Sequence, residues 1–216
     1  MIKKYTQYIK ENKYIKENKY IDIDPYGEED WEFDTLSPIL QLAKKTGKPY
    51  DQITSLNCYG KQLTDLEGIE NLTNLESLYC GNNQLTDLEC IENLINLERL
   101  YCFNNQLTSS SGIENLTNLI SLYCSNNQLN SLEGIEKLNN LKYLNCSNNQ
   151  LTNLNGIENL TNLDFLVCNN NQLTNLDGIE NLINLKELWC YNNMFSKEYK
   201  DYLRDYCKKK NIILKI

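Results

Sequence analysis

The chain has 216 residues, 29 acidic against 21 basic side chains, a net charge of −8 and a pI near 4.7. That balance argues against a nucleic-acid binder, which needs a basic face to release phosphate counterions. The nine cysteines and absence of histidine rule out a Cys–His nucleophile pair, and no run of about 18 apolar residues is present to cross a membrane.

Residues 1–24 hold a small internal repeat, YIKENK from Tyr8 and again from Tyr14. An even period places Tyr8, Tyr14 and Tyr20 on one face of a strand and makes them spiral around a helix. Lysines flank either arrangement, so this stretch reads as a mobile or weakly helical arm. No apolar core of a secretory leader follows the basic start, which points to a cytoplasmic protein. Asp24-Pro25-Tyr26-Gly27 signals a turn. A helix follows the acidic segment Glu28–Asp34, with Ser37 as N-cap, Pro38 at its first position and Gly47 beyond its end. Leu36, Ile39, Leu40, Leu42 and Ala43 supply its apolar face. Residues 25–52 are thus expected to cap the N-terminal end of the segment that begins at residue 53, with help from Trp31 and Phe33.

From residue 53 to 195 the sequence repeats. Near-copies begin at Ile53, Leu75, Leu97, Leu119, Leu141, Leu163 and Leu185, each 22 residues after the last. An unbroken period of this length signifies a solenoid, whose coils share one core and whose ends need covering. Positions 1, 4, 6, 11, 14, 17 and 20 of each copy are apolar or cysteine. Alternation at positions 4 and 6 predicts a short strand, and the later spacing near three predicts a 3₁₀-like or irregular turn. Gly68, Gly112, Gly134, Gly156 and Gly178, at position 16, punctuate the two. Residues 196–216 read as a C-terminal cap: a helix capped by Ser196, with Tyr199, Leu203 and Tyr206 or Cys207 on its inner face, then a strand from Ile212 to Ile216.

Three columns run through the copies. Cys58, Cys80, Cys102, Cys124, Cys146, Cys168 and Cys190 at position 6 point inward with the leucine of position 4, as small apolar groups. A single column cannot converge tetrahedrally on a metal, and parallel side chains suit a disulfide poorly. Periodic cysteines of this kind indicate reduced thiols and a reducing compartment. Asn83, Asn105, Asn127, Asn149, Asn171 and Asn193 are expected to satisfy backbone groups where each strand turns. Glu70, Glu92, Glu114, Glu136, Glu158 and Glu180 are expected to repel one another and splay into water. Cys90 replaces the glycine of its copy, Cys207 lies in the cap helix, and Ser110 stands where other copies carry leucine, which predicts a weakened coil. The Asn-Leu-Thr triplets at Asn71, Asn115 and Asn159 match a glycosylation acceptor but are products of the repeat.

Function is sought where copies differ. Positions 3, 5 and 7 project from the strand away from the core, and there they carry Tyr79, Arg99, Tyr101, Phe103, Tyr123, Tyr143, Phe165, Trp189 and Tyr191. With the strands in register, Tyr79, Tyr101, Phe103, Tyr123, Tyr143 and Phe165 are expected to form one aromatic surface. Patches of this kind mark partner sites, and Tyr and Trp are favoured among binding hot spots. Aromatic neighbours also stabilise a sheet by themselves.

The pattern LxxLxCxxNxLxxLxGIENLxN resembles the leucine-rich repeat, of the 22-residue kind found in bacterial internalins and protein-phosphatase regulatory subunits. The resemblance implies an α/β solenoid: a right-handed arc with a short parallel sheet on its concave face, a 3₁₀ or irregular convex side and helical caps. It implies binding of another protein on the concave face, with no catalytic residue, cofactor or metal. Two departures stand out, cysteine for leucine at position 6 and Lys61 where the first copy should carry asparagine. The reading is a monomeric, cytoplasmic, non-enzymatic interaction module, of a type that regulates enzymes. A secreted or surface adhesion protein of internalin type is the alternative.

Overall fold

The computed structural model describes residues 36–216, so the N-terminal arm and the parts given to Trp31 and Phe33 lie outside the described residues. Within them the repeat is laid out as eight three-residue strands in one parallel sheet, ordered as in the chain. They are β1 (Ser55–Asn57), β2 (Ser77–Tyr79), β3 (Arg99–Tyr101), β4 (Ser121–Tyr123), β5 (Tyr143–Asn145), β6 (Phe165–Val167), β7 (Glu187–Trp189) and β8 (Ile213–Lys215). Strands β1 to β7 pair in the register of the repeat, Leu56 opposite Leu78 and Leu78 opposite Leu100 onward to Leu166 opposite Leu188. The eighth strand comes from the C-terminal cap and sets Leu214 opposite Leu188.

Each strand buries its central leucine and turns its two neighbours outward. The register therefore places like residues of successive coils on top of one another. In the coil of residues 141–162, Leu141, Leu144, Cys146, Leu151, Leu154, Ile157 and Leu160 are all buried, and the equivalent positions elsewhere form one continuous core. Fully burying each such side chain is worth about 1.5–3 kcal/mol.

The return path is built on glycine. Gly68, Gly134, Gly156 and Gly178 adopt left-handed conformations, φ 97°, 91°, 96° and 87°, ahead of 3₁₀ turns at Ile69–Asn71, Ile135–Lys137, Ile157–Asn159 and Ile179–Asn181. A β-carbon disfavours that region. Cys90, at the same position, accordingly does not enter it, and its coil makes its 3₁₀ turn earlier, at Glu89–Ile91. The coil carrying Ser110 has no 3₁₀ turn. There Ser110 is 5% exposed and its hydroxyl donates to the Glu133 carbonyl at 2.9 Å, so the polar atom is buried but satisfied.

Two helices flank the coils. Helix α1 (Pro38–Lys44) begins where Ser37 Oγ accepts the Leu40 N–H at 3.3 Å, and it contributes Ile39 and Ala43 to the core. Helix α2 (Lys197–Lys210) is capped by Ser196 Oγ, which accepts the Tyr199 N–H at 3.1 Å, and ends at Asn211 in a left-handed conformation. Leu203 and Cys207 are its buried face. Three tyrosines tie it to the sixth coil: Tyr199 Oη accepts the Leu176 N–H at 2.7 Å, Tyr206 Oη donates to the Ile179 carbonyl at 3.3 Å, and Tyr202 Oη donates to Glu180. Among the described residues no helix is long and apolar enough to cross a membrane.

Candidate functional site

The outer face of the sheet carries the side chains that vary between coils. Its floor is held by asparagine. Asn149 Nδ2 donates to the carbonyls of Cys124 at 3.1 Å and Cys146 at 3.0 Å, while its Oδ1 accepts the Leu129 N–H at 3.0 Å. The same bonds recur at Asn105, Asn127 and Asn171. Each amide spans two coils, so one turn fixes the next. In the first coil, where Lys61 replaces asparagine, the role passes to Asn83, whose Oδ1 accepts both the Lys61 and Leu63 N–H groups.

Two further asparagine columns lay outside the reading from sequence. At position 8, Asn82, Asn104, Asn126, Asn148, Asn170 and Asn192 hold φ between 53° and 57°, a region asparagine tolerates better than most residues. At position 22, Asn74, Asn96, Asn118, Asn140, Asn162 and Asn184 each donate to a carbonyl of the preceding coil at 2.8–3.0 Å. The signal for both was present as periodic asparagine in the repeat.

On this floor the aromatic residues form separate groups rather than the single surface expected. Tyr79, Tyr101 and Tyr123 stack at position 5, with ring centroids 4.7 and 5.0 Å apart and planes within 4° and 17°. Asn145 ends that stack, and the aromatic column moves to position 3, where Tyr143 and Phe165 stack at 5.1 Å. Phe103 leaves the row altogether. It lies over Gly81, where a β-carbon would come within 3.1 Å of its ring, and meets Tyr59 of the first coil at 5.9 Å. Trp189 stands at the far end, with Lys215 Nζ 3.5 Å from its ring and its Nε1 donating to Glu187 Oε1 at 2.6 Å. Tyr191 borders a groove at the C-terminal end of the sheet. Arg99 is held by Glu98 and by Ser77 Oγ, each at 3.3 Å, so its charge is largely spoken for.

Stacked rings cover one another's faces, so the tyrosine row offers edges and hydroxyls outward. A platform for sugars or bases requires open ring faces. The hydroxyls of Tyr79, Tyr101, Tyr123 and Tyr143 make no hydrogen bond among the described residues, and are open to an incoming group. Half-burial, reinforced by the phenols of Tyr101 and Tyr143, pushes the Tyr123 hydroxyl up from its ordinary pKa.

The cysteine column is buried behind this face. Its thiols are unpaired, and burial pushes Cys58, Cys124 and Cys190 up to about 12. Cys58 and Cys124 donate weakly to the Tyr79 and Asn145 carbonyls at 3.4 and 3.5 Å. Among the described residues no cluster of His, Cys, Asp and Glu is arranged to hold a metal. The glutamate column departs from the expected free stripe. Glu70, Glu114 and Glu158 fold back so that each carboxylate accepts the N–H of the glycine two residues earlier, at 3.0, 2.8 and 2.9 Å. Those N–H groups open the turn with no partner of their own, which outweighs the tendency of like charges to splay.

The family model described as Leucine Rich repeats (2 copies) matches residues 51–95, 95–137, 117–160 and 161–197. Among solved structures, the chain is similar to an internalin (inlF) from Listeria monocytogenes, with 29% identity, 71% of this chain and 44% of that one covered, and a TM-score of 0.66. It is similar to a leucine-rich-repeat protein of Leptospira interrogans, with 32% identity, 72% and 40% covered, and a TM-score of 0.67. A third is the functional domain of InlJ from Listeria monocytogenes, which includes a cysteine ladder, with 31% identity, 69% and 37% covered, and a TM-score of 0.60. The chain thus spans less than half the length of these three structures. No curated protein matches its sequence.

Proposed function

The chain belongs to the leucine-rich repeat family, of internalin-like type, and from that premise we propose that it is a non-catalytic module that binds another protein on the aromatic outer face of its sheet. The observation that carries this reading is the tyrosine row. Tyr79, Tyr101 and Tyr123 sit in register on rigid strands, with hydroxyls that no neighbour uses. Ordered aromatic edges with unsatisfied polar tips are what a partner's backbone and side chains dock against at low entropic cost. Buried thiols held far above their reactive range and a chain without histidine support the absence of catalysis.

The partner is a protein, the chain acts as a monomer in the cytoplasm, and binding to it regulates an enzyme. The nine unpaired cysteines support the reducing compartment, and the net charge of −8 speaks against nucleic acid. The adhesion role of internalin type is the second reading, favoured by similarity to an internalin over 71% of this chain. Cell fractionation separates the two: recovery in the surface or culture fraction would replace the cytoplasmic reading. The binding face is tested by capture of partners from lysate with the native chain and a Tyr101→Ala/Tyr123→Ala variant of matched fold. Loss of specific partners is expected. Equal recovery would sink the assignment of the tyrosine face.

A further inference from the structure

The sheet ends at β8, and the backbone there is only half used. The Ile213 N–H donates to the Lys186 carbonyl and the Lys215 carbonyl accepts the Cys190 N–H, both at 2.8 Å. Strand residues alternate the side to which their amide groups point. The N–H and carbonyl of Leu214 therefore face away from β7, toward an edge that no strand of the described residues occupies.

Beside this edge lies a groove of about 570 Å³ between β8 and α2. Its apolar wall is Tyr191, Leu214 and Ile216, and its rim carries Arg204, Lys208 and Lys215. Leu214 continues the column of Leu188, which is fully buried, yet is itself only half-buried. On the outer face Ile213 is 60% exposed. The charge runs against the rest of the molecule. In a chain of net charge −8, Lys208, Lys209 and Lys210 are consecutive and exposed, and of the rim cations only Arg204 has a carboxylate partner, Asp201 at 2.8 Å.

We propose that the free edge of β8 and its groove form a second docking surface, which takes an extended peptide of alternating acidic and apolar side chains as a ninth strand. Added strands gain affinity from main-chain hydrogen bonds and specificity from pockets for alternate side chains. Here apolar side chains enter against Leu214 and Ile216, and acidic ones meet Lys208 and Lys215. Charge complementarity selects this occupant over a second copy joined edge to edge, which would set these lysines against their own equivalents.

The test uses the native chain and a fluorescent, capped peptide alternating glutamate with valine, followed by polarisation. Binding that weakens with added salt is expected, with a loss of about tenfold or more in Lys208→Glu/Lys215→Glu. A lysine–valine peptide, and the glutamate peptide N-methylated on its pairing amides, should not bind. The Tyr101→Ala/Tyr123→Ala variant should bind as the native chain does, which separates this surface from the tyrosine face. Absence of binding to the native chain, equal binding of the N-methylated or lysine peptide, or loss in the tyrosine variant would overturn the proposal. So would sedimentation as a dimer that Lys208→Glu/Lys215→Glu dissociates, because the occupant would then be a second copy.

Discussion

Replacing Asn83 by alanine should destabilise the protein more than replacing Asn149, although both are buried members of one column. Within the ladder each turn carbonyl has two donors. The Cys124 carbonyl accepts from Asn127 and Asn149, and the Cys146 carbonyl from Asn149 and Asn171. Asn149→Ala removes one donor from each and leaves the other. The group it orphans is the Leu129 N–H, whose bond is to Asn149 Oδ1. Asn83 is not backed up in this way. The Cys58 carbonyl accepts from Asn83 alone, and the Leu63 N–H depends on the same side chain because Lys61 offers no amide. An unsatisfied buried group costs about 1–3 kcal/mol. One orphan predicts a loss of about 2 kcal/mol for Asn149→Ala, and two predict about 4 kcal/mol for Asn83→Ala. In a domain of this size each kcal/mol moves the thermal midpoint by about 2–4 °C, giving drops of roughly 6 and 12 °C. Thermal unfolding followed by circular dichroism measures both. Equal drops, or the larger drop for Asn149→Ala, would refute the claim that redundancy in the ladder sets the cost.

Other expectations rest on the core and the turns. Ser110→Leu fills a position that other coils give to leucine, gaining about 1.5–3 kcal/mol of burial and losing a hydrogen bond worth about 1 kcal/mol. The thermal midpoint should therefore rise slightly, and a fall would mean that the third coil has closed around the serine. Gly112→Ala should cost far more than Gly47→Ala. Both have positive φ, but a β-carbon at Gly112 would lie 2.4 Å from the Leu88 carbonyl oxygen, and at Gly47 it would meet nothing within 4 Å; comparable urea midpoints would contradict this. Raising the pH above the ordinary thiol range should weaken the fold. Cys58, Cys124 and Cys190 are held up at about 12 when folded, so the unfolded chain loses its protons first, and stability present below about pH 8.5–9 is lost as pH climbs toward 12. Urea midpoints that do not fall between about pH 8 and pH 10.5 would argue against buried thiols. In the native protein only Cys90 is not buried, so an aromatic disulfide reagent should label one thiol quickly and the rest on unfolding.

The scaffold was readable because its rule is geometric. A period of 22 residues dictates which leucines share a column, and the register of β1 to β7 obeys it. The inward cysteines, Ser37 and Ser196 as helix caps and the turn-closing asparagines came from the same logic. What escaped depends on local competition that a column does not reveal. Glu158 was expected to seek water, yet the Gly156 N–H beside it is a nearer claim. Cys90 shifts a turn because it cannot adopt the glycine conformation, which spacing alone does not show. The aromatic face was legible in its membership and not in its pattern. Whether Phe103 joins Tyr101 or crosses to Tyr59 is decided by Gly81, a residue with no side chain to read.

The tyrosine row can serve the sheet, a partner or both, and the hydroxyl groups separate these uses. Stacked aromatic pairs contribute about 0.5–1.5 kcal/mol beyond the area they bury, so Tyr101→Ala, which breaks two stacks, should lower stability by about 1–3 kcal/mol whatever the row is for. Tyr101→Phe keeps both stacks, at 4.7 and 5.0 Å, and removes an oxygen that bonds to nothing in the described residues. Stability should therefore be unchanged. A partner that reads the row's polar edge loses a hydrogen bond, and about a tenfold drop in affinity corresponds to the roughly 1.4 kcal/mol typical of such a contact. A Tyr101→Phe protein with native stability and native recovery of partners would show that the row is there for the sheet. Native stability with weakened recovery is the result expected of a binding face, because no interaction within the fold would have been touched.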